Sequence, residues 1–342
     1  MGWVVSQSRR VTREQVLDHF LAPVEPAAGP TVAAWVTDYV AGLSGISGST
    51  RRMYASVVKN HVEATKLGKI PLTALTRDDV RRWVKQHEGK ASPKSIANYR
   101  GLLSAALGEA VLSGRIASNP CAGIRLPRRD DQTREEHVFL TRAQVERLAK
   151  ALPKPVQFVP RVLARTGLRW GELTALQVGD VALGAKPPTL TVARARMRGE
   201  DGGYIIGPPK TRRSRRTIAL DAVTVRELRP HVVGHDPRDF VLSLPNGEPV
   251  PHSTFAVMWR EALFGNGTPE KPGLVAEGVV ARAPRVHDLR HTHAAWLISA
   301  GVPLPAIQRR LGHESITTTI DTYGHLLREV DDQVLAALDA AI

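Results

Sequence analysis

The chain has 342 residues, which is long enough for two domains with separate hydrophobic cores. Lysine and arginine number 47 against 33 aspartate and glutamate residues, and the resulting net charge of +14 predicts a polyanionic partner. The single cysteine excludes an intramolecular disulfide framework, and we find no membrane span or secretion signal, so we expect a cytoplasmic protein.

The N-terminal third is predicted to be a short unassigned segment, residues 1–30, followed by a helical domain, residues 31–125. Apolar stripes at helical spacing predict four helices, which begin near Thr31, Ser49, Thr76 and Ser92. Basic side chains on these helices are candidate phosphate contacts, although each also fits a solvated helix face: Arg51, Arg52, Lys59, Lys90, Lys94 and Arg100.

Residues 126–137 are charged, contain proline and lack periodicity, and they predict an interdomain linker before a second domain, residues 138–330. In this domain Thr141 caps a helix through Leu152, and a further helix covers residues 155–166. Alternating patterns predict strands at 189–197, 204–206 and 217–220, and apolar spacing predicts helices at 223–228 and 252–263.

The stretch 287–325 concentrates the residues that suggest chemistry. His287 and Arg290 lie three apart on a predicted helix and share a face. A second short helix ends at Gly312, which places His313 in a turn, and Tyr323 follows on a threonine-rich helix with little bulk to bury it. Arginine binds phosphate, histidine moves protons and a phenol becomes a nucleophile when cations stabilise its anion. Together they suit attack of a phenol on a phosphodiester.

Simpler interpretations of the same residues exist. Each of these side chains, taken alone, fits a structural role in a helix or a core. His287 and His291 lie four apart on one helix and suggest a metal site, but no HExxH motif is present and Arg290 would repel a cation.

The order of the motifs resembles the signature of the tyrosine recombinases, the phage integrase family, over roughly residues 31–330. The sequence reads H-x-x-R at 287–290, L-G-H at 311–313, and a tyrosine ten residues later at Tyr323. Upstream it has the T-G-x-R-x-G-E motif at 166–172, which contains Arg169, and a lysine between the two arginines, Lys210.

The resemblance implies a mainly α fold with a small antiparallel β-hairpin sheet, built from a helical core-binding domain and a mixed α+β catalytic domain. It implies that Tyr323 forms a 3′-phosphotyrosine, that Arg169 and Arg290 hold the phosphate, and that Lys210 is the candidate acid. His287 and His313 then position the phosphate and assist proton transfer, Glu172 supports Arg169, and no metal or cofactor is needed. The basic residues around Lys210 are candidates for tracking the DNA backbone: Arg212, Arg213, Arg215 and Arg216.

The expected substrate is double-stranded DNA bearing recombination sites, bound by a homotetramer in a bacterial host cell, near the nucleoid. A host DNA-bending factor and an excisionase are possible partners, and residues 331–342 form a predicted helix that docks on its own or a neighbouring subunit. The alternatives are a chromosome-dimer resolvase of the same family, a type IB topoisomerase and a catalytically silent DNA-binding regulator.

Overall fold

A computed structural model describes residues 29–127, 137–209, 212–268 and 270–312, and single positions beyond them that include Tyr323. The chain divides into two compact units, Met1–Arg134 and Glu135–Ile342. The predictions for residues 1–28, for most of the linker and for the C-terminal helix lie outside the described residues. Within the described ranges, no helix combines the length and apolar character needed to cross a membrane.

The described part of the first unit is helical. Side-chain hydroxyls begin its helices: Thr31, Thr76 and Ser92 each accept a hydrogen bond from a backbone amide of the first turn, as predicted. Its α-helices are α1 (Val32–Gly42), α2 (Gly48–Val57), α3 (Arg77–His87) and α4 (Pro93–Leu112). The helix α2 begins near Ser49, as predicted, but its cap is the hydroxyl of Ser47, two residues earlier, which accepts from the amide of Thr50.

The core of this unit is formed by the apolar stripes that the sequence predicts. Val36, Trp83, Leu103 and Leu107 are fully or almost fully buried in it. Trp83 also donates from its indole nitrogen to the carbonyl oxygen of His61 at 2.6 Å, so the ring is buried with its polar atom satisfied.

The second unit combines helices with two small antiparallel sheets, and the predicted fold class is confirmed. Its α-helices are α5 (Arg142–Ala151), α6 (Phe158–Thr166), α7 (Trp170–Leu173), α8 (Ala222–Leu228), α9 (His252–Phe264), α10 (Asp288–Ser299) and α11 (Leu304–Leu311). Its strands are β1 (Val181–Ala182), β2 (Thr189–Val192), β3 (Ala195–Arg198), β4 (Tyr204–Gly207) and β5 (Arg216–Ala219). The first sheet has the order β1-β2-β5, and the second pairs β3 with β4.

The single strand predicted over residues 189–197 is wrong, because the chain changes partners at Ala193 and Arg194. Residues before this break pair with β5, and residues after it pair with β4. Arg194 holds the break by donating to the carboxylate of Asp180 at 2.8 Å and to the amide oxygen of Gln177. An alternating pattern does not reveal such a change of partner, since both halves alternate.

The helix predicted over residues 155–166 is shorter than expected. Lys154–Val156 form a 3₁₀ turn, and α6 begins at Phe158. The helix ends at Gly167, which adopts a left-handed conformation with φ of 68°. This end places the following residue pair, Leu168 and Arg169, at the start of the next segment, where the candidate site lies.

Candidate active site

Arg169 is placed by a carboxylate from its own short helix. Glu172 accepts from the backbone amide of Arg169 at 3.0 Å and from its guanidinium Nη1 at 2.8 Å. The arrangement is a capping contact that fixes the backbone and the side chain together. The Arg169 side chain is 38% exposed, whereas the Glu172 side chain is 2% exposed. The guanidinium is therefore held by a buried carboxylate and remains accessible to a ligand from the solvent.

Arg216 shares the same carboxylate and is a structural residue. Its Nη1 and Nη2 atoms donate to Glu172 at 3.2 and 2.9 Å, and its Nε donates to the carbonyl oxygen of Arg310 at 2.7 Å. The side chain is 6% exposed. The prediction that Arg216 tracks DNA is therefore wrong, because all three of its guanidinium nitrogens donate inside the protein. Its contact with the last turn of α11 connects β5 to the segment that leads to His313.

The electrostatics of Glu172 follow from these contacts. Burial alone would raise its pKa, but the hydrogen bonds and charges of Arg216 and Arg169 outweigh burial and leave the pKa below its ordinary value. The carboxylate is therefore ionised at neutral pH. A carboxylate with a lowered pKa stabilises the fold above its ordinary pKa, and this contribution is lost as the pH falls through the lowered value.

We expect Arg216→Met to destabilise the protein by about 3–5 kcal/mol at neutral pH, because it leaves a buried carboxylate with half of its partners. The pKa of Glu172 should then rise in the variant. The loss of unfolding free energy relative to the wild type should therefore shrink in acid, where Glu172 is protonated in both the folded and the unfolded protein. Thermal denaturation at neutral and acid pH measures both effects. Arg226→Met removes an exposed arginine and is the control, expected to change stability by less than about 0.5 kcal/mol. A deficit that does not change with pH would contradict this account.

Arg290 is buried at 2% exposure and joins two turns. Its Nη1 donates to the carbonyl oxygen of Gly167, and its Nη2 donates to that of Leu311, each at 2.6 Å. Burial and the neighbouring charge of Arg169 lower its pKa, yet a guanidinium remains protonated at neutral pH. Two features of Gly167 require glycine at this position. Its φ is positive, and an added Cβ would lie 2.7 Å from the Cδ2 atom of His293.

His287 immediately precedes α10 and remains exposed to solvent. Desolvation by the surrounding protein, together with the charges of Arg290 and Arg169, lowers the pKa of His287 to about 4. The imidazole is therefore neutral at physiological pH. Because the charges of Arg290 and Arg169 both act on His287, these three predicted site residues lie near one another.

Tyr323 is buried at 1% exposure among apolar side chains of α10 and α11, which include Ile298, Ile307 and Leu311. The prediction that this tyrosine has little bulk around it is wrong. Burial raises the pKa of Tyr323 to about 12, while the charges of Arg290 and Arg169 act in the opposite direction. The phenol is thus protonated at rest, in a site where cations favour its anion.

His291 is the residue that the sequence interpretation did not include in the site. Its Nδ1 lies 2.8 Å from the hydroxyl of Tyr323, and both residues are buried. Its one signal in the sequence is the spacing of four from His287, and that spacing suggests a metal site and not a contact with Tyr323. His137 stacks on His291 with ring centroids 3.7 Å apart, and His287 meets it edge-on at 5.0 Å.

The same cluster also contains the residues that could be considered for binding a metal ion. Among the described residues, ligand atoms of His137, Asp288 and His291 lie within 4.8 Å of one another. However, Asp288 accepts from the amide and guanidinium of Arg285 at 2.8 and 3.3 Å, and His291 is engaged with Tyr323. With arginines on two sides, the donor set favours proton transfer over binding of a cation.

Several predicted site residues lie outside the described part of the chain or in loops. Lys210 and His313 are not described, nor is the side chain of Arg212. Arg213 and Arg215 are exposed, and Arg213 donates to the carbonyl oxygen of Glu314. Gly312 ends α11 with φ of 66°, as predicted, so the chain turns immediately before His313.

Two of the six basic residues predicted on the helical unit are corrected to a structural role. Arg51 donates to the carbonyl oxygens of Val40 and Leu43 at 3.1 and 2.7 Å and so caps the end of α1. Arg100 donates to the carbonyl oxygen of Cys121 at 2.6 Å. The other four are exposed, as a phosphate contact requires: Arg52, Lys59, Lys90 and Lys94.

Comparison with known proteins gives consistent results. The model of the phage integrase family matches residues 138–329. A putative prophage phiRv2 integrase of Mycobacterium tuberculosis is 28% identical over 298 residues, which cover 86% of this chain and 74% of that protein.

Solved structures share the fold. The Tn1549 transposon integrase in complex with a circular intermediate DNA superimposes with a TM-score of 0.74 at 23% identity, covering 92% of this chain and all of that one. A lambda integrase tetramer bound to a Holliday junction gives 0.60 at 19% identity, covering 87% and 82%. At these identities the likeness concerns the fold.

Proposed function

Because the chain belongs to the phage integrase family and is a site-specific tyrosine recombinase, we propose that Tyr323 is the nucleophile that cuts and rejoins DNA strands. The hydroxyl attacks the scissile phosphorus, a 3′-phosphotyrosine forms, and the 5′ oxygen leaves as a hydroxyl. Attack by a new 5′ hydroxyl reverses the step and joins the exchanged strand. The bond energy is kept in the phosphotyrosine throughout.

The observation that carries this proposal is the convergence at the Tyr323 hydroxyl. Arg290 donates to the carbonyl oxygen of Leu311, whose side chain lies in the same buried cluster as Tyr323. The charges of Arg290 and Arg169 both favour the anion of Tyr323, although the two arginines lie more than a hundred residues apart in the chain. Two fixed guanidinium groups suit the non-bridging oxygens of a phosphodiester, whose charge grows during attack. Lys210 protonates the leaving 5′ oxygen in this scheme, and His287 and His313 assist in binding the phosphate.

The partner in this proposal is double-stranded DNA, bound by a homotetramer that brings two recombination sites together. The net charge of +14 supports a polyanionic partner. The Tn1549 and lambda integrase structures contain DNA, and one lambda structure is a tetramer. A host DNA-bending factor and an excisionase would complete the assembly at the nucleoid of a bacterial host cell. The helix that the sequence predicts for residues 331–342 would dock on a neighbouring subunit.

A plasmid with two attachment sites, taken from the DNA that flanks the gene, tests the proposed function. We expect two defined products whose junctions are the exchanged sites. A topoisomerase would instead relax supercoils without new junctions, and a silent regulator would bind the plasmid and leave it intact. A chromosome-dimer resolvase would recombine sites from the host chromosome in preference to these.

The role of Lys210 is tested by a leaving group that needs no proton. We expect Lys210→Ala to bind DNA and to cleave on the order of 10²–10⁴-fold more slowly, the range for loss of a general acid. A substrate with a 5′-bridging phosphorothiolate should restore cleavage, since the thiolate leaves unprotonated. Single-turnover rates on the two substrates measure this. Equal rates on both substrates in the variant would remove Lys210 from the role of acid.

A further inference from the structure

We infer that His291 holds the phenol of Tyr323 in place and accepts its proton when the phenol attacks the phosphate. This inference rests on the proposed role of Tyr323 as the nucleophile. It gives the proton of the attacking group a definite acceptor, separate from the group that protonates the leaving oxygen. The contact is direct, with 2.8 Å between the His291 Nδ1 and the hydroxyl oxygen.

The surroundings fix the direction of this hydrogen bond. Burial and the neighbouring His137 and His287 rings, together with the charges of Arg290 and Arg285, lower the pKa of His291 to about 3. The imidazole is therefore neutral and has one nitrogen free to accept. Since the phenol is protonated and is a stronger donor than a neutral imidazole N–H, we assign the phenol as the donor and Nδ1 as the acceptor. The hydrogen bond along which the proton would move is therefore in place before any DNA arrives.

A bound phosphodiester would make His291 a stronger base. Arg290 is among the causes of its lowered pKa, and the phosphate's negative charge would offset that of the arginine. The carboxylate of Asp288 lies within 4.8 Å of a ring nitrogen of His291 and offers a counter-charge to an imidazolium. The basicity of His291 thus rises when the nucleophile is needed.

The proton balance of the step is complete. The Tyr323 oxygen forms a bond to phosphorus as its proton passes to Nδ1 of His291, and the bond from phosphorus to the 5′ oxygen breaks. The leaving oxygen takes its proton from a different group, for which Lys210 is proposed. In the rejoining step the imidazolium returns the proton to the departing phenolate, so His291 is neutral again at the end of the cycle.

The neighbouring His293 supplies a matched control. It is buried on the same helix, two residues away, but one ring nitrogen lies 3.0 Å from the carbonyl oxygen of Ala164 and the other accepts from Nε of Arg310 at 3.0 Å. Both nitrogens are thus engaged away from Tyr323. His291→Asn and His293→Asn therefore make the same chemical change at similar burial, and only the first affects the nucleophile.

The experiment measures single-turnover formation of the covalent complex on a nicked duplex across a range of pH. Asparagine keeps an oxygen near the position of Nδ1 and can accept the hydrogen bond, but it does not take the proton. We expect His291→Asn to lose on the order of 10²–10⁴-fold in rate, with a log-linear dependence on hydroxide in place of the plateau of the wild type. His293→Asn should keep the rate and the pH profile at temperatures where it is folded.

A more acidic phenol provides the second measurement. A fluorinated tyrosine at position 323 releases its proton more readily, so the His291→Asn variant that carries it should react nearly as fast as the parent enzyme that carries it. A His291→Asn variant with the rate and pH profile of the wild type overturns the inference, and so does a defect that the fluorinated tyrosine does not reduce. If Tyr323→Phe itself still forms the adduct, the proposed function fails instead, so the two failures are distinguishable.

Discussion

Replacing Tyr323 with phenylalanine is expected to abolish the covalent protein–DNA adduct while leaving DNA binding in place. The ring keeps its packing against α10 and α11, but no oxygen remains to attack phosphorus. The lost hydroxyl leaves Nδ1 of His291 without this partner, which should cost about 1–3 kcal/mol of stability. On a nicked substrate that loses its 5′-hydroxyl fragment, the wild type should accumulate as a species stable in SDS, and the variant should not.

Tyr204→Phe is the matched control, because the ring of Tyr204 lies close to the guanidinium groups of Arg196 and Arg198, 4.3 and 4.1 Å from its centroid. This packing does not depend on its hydroxyl, so we expect normal adduct formation. Peptide mapping of the wild-type adduct should find the nucleotide on the peptide that contains Tyr323. An adduct on a serine, or one that persists in Tyr323→Phe, would contradict the mechanism.

Arg290→Ala is expected to damage both catalysis and stability. Loss of one fixed donor to the transition state reduces the rate by on the order of 10²–10³-fold. The carbonyl oxygens of Gly167 and Leu311 also lose their partner, and each buried acceptor left unsatisfied costs about 1–3 kcal/mol. Single-turnover cleavage and thermal denaturation of the same preparation measure the two effects.

Arg169→Ala separates these effects, because its side chain is more than one-third exposed and Glu172 retains its contacts with Arg216. We expect a comparable loss of rate with a smaller loss of stability. If Arg290→Ala melted at the wild-type temperature, the guanidinium would not join the two turns as described. If it also cleaved at the wild-type rate, Arg290 would have no part in binding the phosphate.

Local signals in the sequence were sufficient for much of this structure. The hydroxyl caps at Thr76, Ser92 and Thr141 and the glycine stops at Gly167 and Gly312 depend on backbone groups within a few residues, and they lie where expected. The motif that joins Arg169 to Glu172 is local too, since a contact over three residues fixes both side chains.

The incorrect predictions concern contacts between distant segments. The sequence does not distinguish Arg216 from its basic neighbours, because its partner Glu172 lies 44 residues away in the chain. No pattern in the sequence shows that the side chains of His291 and Tyr323 meet, because the two residues lie 32 positions apart. The burial of Tyr323 depends on α10 and α11 in the same way, because its own segment supplies little apolar bulk.

The shared carboxylate of Glu172 also determines how many charges the described part of the site holds. Arg169, Arg216 and Arg290 bring three positive charges and Glu172 removes one, while the ion pair at the start of α10 adds no net charge. The two histidine rings beside the tyrosine stay neutral because their pKa values are lowered, which leaves a surplus of two. A phosphodiester carries one negative charge, and the five-coordinate phosphorane that forms on attack carries two. With a phosphodiester bound, the site and substrate together carry one positive charge, and this total does not change when the proton of Tyr323 passes to His291. The attack instead adds one negative charge to the phosphorus group and one positive charge to the imidazole, so the site would attract the short-lived phosphorane more strongly than the stable phosphodiester.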